Sequence, residues 1–130
     1  MKWRAIAYRT LNKHYPTKYK GYQEMLRLTS QLQDNPTLKK IYGTDYYFSH
    51  FFNDFYCNEE REFFEEMLEV IRSENIDKVF VFDIFQSLGE HNLCLLSKVC
   101  RDLNVELLFP NEMKDNIAHK EIFDILADAI

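Results

Sequence analysis

Glycine is scarce in this chain, with Gly21, Gly43 and Gly89 the only three in 130 residues. A glycine-rich loop that lets backbone amides cradle a phosphate cannot be built from isolated glycines. Dinucleotide and nucleoside-triphosphate sites of the familiar kinds are therefore excluded. Histidine is equally dispersed: no two of His14, His50, His91 and His119 stand three or four residues apart, so no helix face presents a histidine pair to a metal. The three cysteines, Cys57, Cys94 and Cys100, are odd in number and lack Cys-x-x-Cys spacing. Cys94 and Cys100 fall within a helical pattern, so they read as reduced, small core residues in a reducing cytosol. No apolar run approaches the length of a membrane span, and Met1-Lys2-Trp3-Arg4 opens directly into a strand pattern rather than a signal peptide. The expectation is a cytoplasmic protein without membrane contact and without a small-molecule cofactor or metal.

What the chain does have is rings and a divided charge. Aromatic residues make up 15% of it and apolar residues 46%, enough for one well-filled domain over 1–130 but not for a second module. The net charge of −5 conceals nine Lys/Arg against two Asp/Glu in residues 1–43, and seven against nineteen in residues 44–130. A basic first third is compatible with phosphate contact. The domain as a whole lacks the basic balance of an autonomous nucleic-acid binder, and a solvated face opposed by acidic helices explains the same numbers.

The segment Lys78-Val79-Phe80-Val81-Phe82-Asp83 organises the rest. An unbroken apolar run of β-formers reads as a strand covered on both faces. Helical patterns over 61–73 and 90–103 flank it, making it the central strand of a parallel sheet. Alternation over 3–9 gives a first strand, and Met25, Leu26, Leu28 and Leu32 mark a helix stopped at Asp34-Asn35-Pro36. A short second strand is expected over 38–43, and a fourth over 105–109. Asn58 is expected to cap the third-quarter helix, whose Phe63, Phe64, Met67, Leu68 and Ile71 form one stripe; Glu62, Glu65, Glu66 and Glu69 lie off it as a solvated face. A last helix from Asn116 carries Ile117, Ile122, Ile125, Leu126 and Ala129. Residues 44–58 fit neither period, although seven of the twelve positions from 45 to 56 are rings. The fold class is α/β, a flavodoxin-like three-layer sandwich on a mainly parallel four-stranded sheet.

Ligands in open α/β sheets gather beyond the carboxyl ends of the strands, which directs attention to Asp83 and the turn after it. Asp45, Asp54 and Asp83 are candidates for an acidic, Mg²⁺-binding nuclease cluster if the ring-rich segment folds over the sheet.

Read in order, Ala5-Ile6-Ala7-Tyr8-Arg9-Thr10-Leu11, Arg61-Glu62-Phe63-Phe64-Glu65-Glu66-Met67-Leu68, Asp77-Lys78-Val79-Phe80-Val81-Phe82-Asp83 and Ser87-Leu88-Gly89-Glu90 resemble the catalytic domain of serine recombinases, the resolvase/invertase family. The resemblance covers the whole chain in order and spacing. It implies that Arg9 and Arg61 match the family's phosphate-cradling arginines and that Asp83 matches the aspartate of the Asp-Arg-Leu-x-Arg turn. It also implies departures. The nucleophilic serine falls on Leu11, which has no hydroxyl, and the two turn arginines fall on Ile84 and Ser87. Thr10 could replace the serine only by slipping one residue, which moves a strand side chain to the other face. The resemblance thus implies a domain without recombination chemistry, a protein-interaction or recombination-accessory module of mobile-element type. The alternative is an active phosphoryl-transfer enzyme using Thr10 or the aspartate cluster. A third reading is a nucleic-acid binder using the basic first third. The chain carries no DNA-binding module, so DNA contact is expected to be weak or indirect. The rings Phe51 and Phe52, with Ile122, Ile125 and Leu126 of the last helix, are expected to form a homodimer or partner interface.

Overall fold

The computed structural model describes residues 2–11, 18–55, 62–82 and 89–110. Four strands, β1 (Trp3–Leu11), β2 (Tyr46–Phe55), β3 (Lys78–Phe82) and β4 (Glu106–Leu108), form one sheet in the order β2-β1-β3-β4. Every neighbouring pair is parallel. Among the described residues, four helices connect and cover them: α1 (Lys18–Asp34), α2 (Pro36–Tyr42), α3 (Glu62–Ser73) and α4 (Glu90–Asp102). The architecture is an α/β three-layer sandwich of the flavodoxin-like kind, wound outward in both directions from β1.

Strand alternation sorts the core into two halves. Ala5, Ala7, Phe80, Phe82 and Leu108 face Met25, Leu32 and Tyr42 of α1 and α2. Ile6, Tyr8, Val79, Val81 and Leu107 face Phe64, Met67, Leu68 and Ile71 of α3, and Leu93, Leu96, Val99 and Cys100 of α4. Val79, Phe80 and Val81 are fully enclosed, as a central strand between two helical layers requires. The two alanines of β1 leave room for the rings opposite: Phe80 packs against Tyr42, Tyr46 and Phe48 with centroids 5.8, 5.0 and 5.4 Å away. On α3, Glu65, Glu66 and Glu69 are exposed as expected, while Phe63 sits at the rim of the stripe.

Two expectations fail, for connected reasons. The segment 38–43 is not a strand. Asn35 caps a helix there, its Oδ1 accepting from the Thr37 and Leu38 amides at 2.9 and 3.3 Å. Pro36 occupies the first turn and Gly43 closes the helix at φ 76°, a conformation costly for any residue with a Cβ. Leu38, Ile41 and Tyr42 are spaced for a helix. The second strand is instead the ring-rich segment. Its pairing with β1 runs Ala5 to Phe48 and then Ile6 to His50, leaving Ser49 as a bulge. Before the bulge, Tyr46 and Phe48 share the α1/α2 side; after it, Phe51 and Asn53 do. One extra residue inverts the alternation, so no single phase of period two fits the segment.

Candidate functional site at the carboxyl edge of the sheet

Because all four strands run the same way, Arg9–Leu11 territory, the end of β2 and Phe82 share one edge. β1 lies between β2 and β3, so the chain's winding reverses beside it, and the crevice of such a sheet opens between β1 and β3. Arg9 stands there, paired with Phe82 of β3 on one side and Asn53 of β2 on the other. It falls on the face of Ala5 and Ala7 and is buried, with 8% of its surface exposed. A guanidinium presents its donors in a planar fork suited to oxyanions. Asn53 joins it on the same face with its Oδ1 shielded from solvent, a neighbour that the unreadable ring-rich segment concealed. The alternation that places Arg9 by Ala5 and Ala7 is the signal for the first residue; only the bulge reveals the second.

The adjacent residue of β2 has a different task. Asp54 lies on the α3 side, 5% exposed. Its Oδ1 accepts from the Phe63 amide at 3.0 Å, and its Oδ2 accepts from the Phe64 amide at 2.9 Å and the Tyr8 hydroxyl at 2.6 Å. The first turn of α3 leaves amides without intrahelical partners, and a carboxylate there satisfies them and the helix dipole together. Asp54 therefore fixes the amino end of α3 to β1 and β2 at the carboxyl edge.

Two members of the expected aspartate cluster, Asp45 and Asp54, stand far apart, and Asp83 lies outside the described residues. Asp45 precedes β2 and Asp54 nearly ends it; nine residues of strand separate them by about 30 Å. The Asp54 oxygens are committed to the helix and Tyr8. Among the described residues no group of three His, Cys, Asp or Glu is disposed to hold a metal ion. His91 and Cys94 are three apart on α4, but Cys94 is buried and His91 is exposed. Of the expected interface residues, Phe52 is 6% exposed within the α3-side core. Phe51 is half-buried on the α1 side, edge-to-face with Tyr22 at 6.2 Å. Arg61, Asp83, Ile122, Ile125 and Leu126 lie outside the described residues, as do Ile84, Ser87 and Asn58. Thr10 and Leu11 continue β1 beyond Arg9, opposite Asp54 and Phe55.

The buried phenols and the core thiol supply no acid, base or nucleophile near neutrality. Burial pushes Tyr42 and Tyr46 up to about 12, Tyr46 with a smaller contribution from Tyr42, and pushes Cys100 to about 12. No helix among the described residues is long and apolar enough to cross a membrane. No protein-family model matches the chain, and no curated protein matches it.

Proposed function

We propose that the chain is a resolvase/invertase-like domain that has lost strand-cleaving chemistry and acts in the cytoplasm through protein contact, as a homodimer or with a protein partner. One observation carries this reading. β1 ends at the winding reversal with buried Arg9, and the residue two positions further along the same strand is Leu11. A guanidinium at this edge supports a phosphate-holding role, whereas the position matched to the attacking oxygen is a leucine. Positioned positive charge stabilises a phosphoryl transition state but forms no covalent intermediate without a nucleophile. Contact through protein is supported by the apolar groups on the α1 side: Tyr22 and Leu26 are 42% and 39% exposed, beside half-buried Phe51. The buried free thiols Cys94 and Cys100 suit a reducing compartment.

Sedimentation velocity with labelled duplex DNA tests both halves of the reading. At a protein concentration of ~100 μM, well above the micromolar affinities of weak interfaces, the protein sediments as a self-associated species. Near 150 mM salt, roughly the physiological regime, the DNA sediments alone, because contacts made only by Lys and Arg weaken steeply with salt. A strictly monomeric protein removes the homodimer, and a sub-micromolar DNA complex removes the protein-contact reading altogether.

A further inference from the structure

The bulge that hides β2 from the sequence also builds a second polar constellation, on the α3 side near the amino end of the sheet. Ser49 has no partner residue in β1, and its hydroxyl is turned into a ring of polar contacts. Arg4 Nε donates to Ser49 Oγ at 3.0 Å, and Ser49 Oγ lies 2.8 Å from His50 Nδ1. His50 Nε2 stands 3.5 Å from Glu74 Oε2, while Glu74 Oε1 is ion-paired with Arg4 Nη2, closing the ring. The imidazole is stacked on Phe52, with centroids 5.7 Å apart and planes 11° apart, which fixes its orientation. In the tautomer that carries its proton on Nε2, Nδ1 accepts the Ser49 proton, for which the Ala5 carbonyl oxygen at 3.4 Å is the second acceptor.

A hydroxyl in reach of a base, with the base oriented by a carboxylate, is the general arrangement of an activated serine, recognised by geometry rather than chain order. The side chains of Arg4, His50 and Glu74 are 29%, 25% and 34% exposed, and Ser49 itself is half-buried, so the group lies at the surface. Bulges recur where a strand re-aims a side chain toward a functional role. We propose that Ser49 is a nucleophile that takes the acyl group of small activated esters, distinct from the Arg9 edge and independent of the function proposed for it.

In the step, Ser49 Oγ bonds to the ester carbonyl carbon and its proton passes to His50 Nδ1. Glu74 faces the resulting imidazolium, and the Arg4 guanidinium, whose Nε donates to Ser49 Oγ, stands beside the reacting oxygen. The bond from carbonyl carbon to leaving oxygen then breaks, and that oxygen takes the proton from Nδ1. One ester is consumed, one alcohol is released and Ser49 carries the acyl group.

A fluorophosphonate probes the same nucleophile: a serine oxygen–phosphorus bond forms, the phosphorus–fluorine bond breaks, and fluoride leaves. Intact-mass measurement and peptide mapping of the full chain should find one adduct, on Ser49. Ser49→Ala should abolish it. His50→Gln should slow it by about 10²–10⁴-fold, the range for loss of a general base. Glu74→Gln, which keeps the shape, should slow it more than tenfold, with folding of each variant checked by circular dichroism. Absence of an adduct on the folded wild-type protein, an adduct on a different residue, or an unchanged rate in folded His50→Gln would each overturn the proposal.

Discussion

Replacing Asp54 with Ala is expected to destabilise the domain by about 3–5 kcal/mol, since hydrogen bonds to a charged group contribute about 1.5–3 kcal/mol each and unmet buried donors add their own cost. Three donors lose their acceptor at once: the Phe63 and Phe64 amides and the Tyr8 hydroxyl. The Phe64 amide and the Tyr8 hydroxyl cannot simply turn to bulk water, because both residues are buried. The effects do not add fully, as the freed end of α3 can fray and hydrate its amides. Even so, the loss is a large part of the total stability of about 5–15 kcal/mol usual for a single domain. Asp54→Asn keeps the shape and one acceptor oxygen, and should cost about 1–2 kcal/mol, near the typical value of a helix cap. Tyr8→Phe removes one donor only. A double-mutant cycle between Tyr8→Phe and Asp54→Asn in urea unfolding should give a coupling of about 1 kcal/mol or more, as for residues in direct contact. A loss below about 1 kcal/mol for Asp54→Ala would show that Asp54 is not the anchor of α3.

Phe52 and Phe51 should respond very differently to truncation. Phe52 sits between β2 and α3, where His50 stacks on it, and Phe52→Ala should cost about 3–5 kcal/mol, the usual range for a fully buried ring. Phe51 lies in the partly covered layer between Phe48, at 5.6 Å, and Tyr22, so Phe51→Ala should cost clearly less. Joint replacement of Phe51 and Phe52 by Ser should therefore unfold the domain rather than release a folded monomer. Urea midpoints read the difference directly. An unshifted midpoint for Phe52→Ala would place that ring at a surface.

Most of the architecture was legible because its strongest signals are local. β3 declares itself by four consecutive buried β-formers, α3 and α4 by their apolar spacing, and the end of α1 by Asp34-Asn35-Pro36. The α/β class and parallel sheet follow from the order of those elements. The failures share one cause, the bulge at Ser49. It disguises β2, while the apolar residues of 38–43 resemble a short strand although Asn35, Pro36 and Gly43 punctuate the segment as a helix. Asp54 was legible only as an aspartate. Its partners are nine and ten residues away in sequence and 46 away at Tyr8, and no local pattern links them. Arg9 could be placed at the strand end because alternation from Ala5 runs uninterrupted through β1.

The central claim, that Leu11 leaves the carboxyl edge without a nucleophile, is tested most directly by covalent trapping on DNA. The wild-type protein is incubated with a suicide duplex whose nick lets the broken strand diffuse away, so that any phosphodiester-linked intermediate accumulates. The products are resolved on a denaturing gel and by peptide mapping. The account predicts no protein–DNA adduct at any protein concentration. An adduct mapped to Thr10, or to any other residue of this chain, would contradict it.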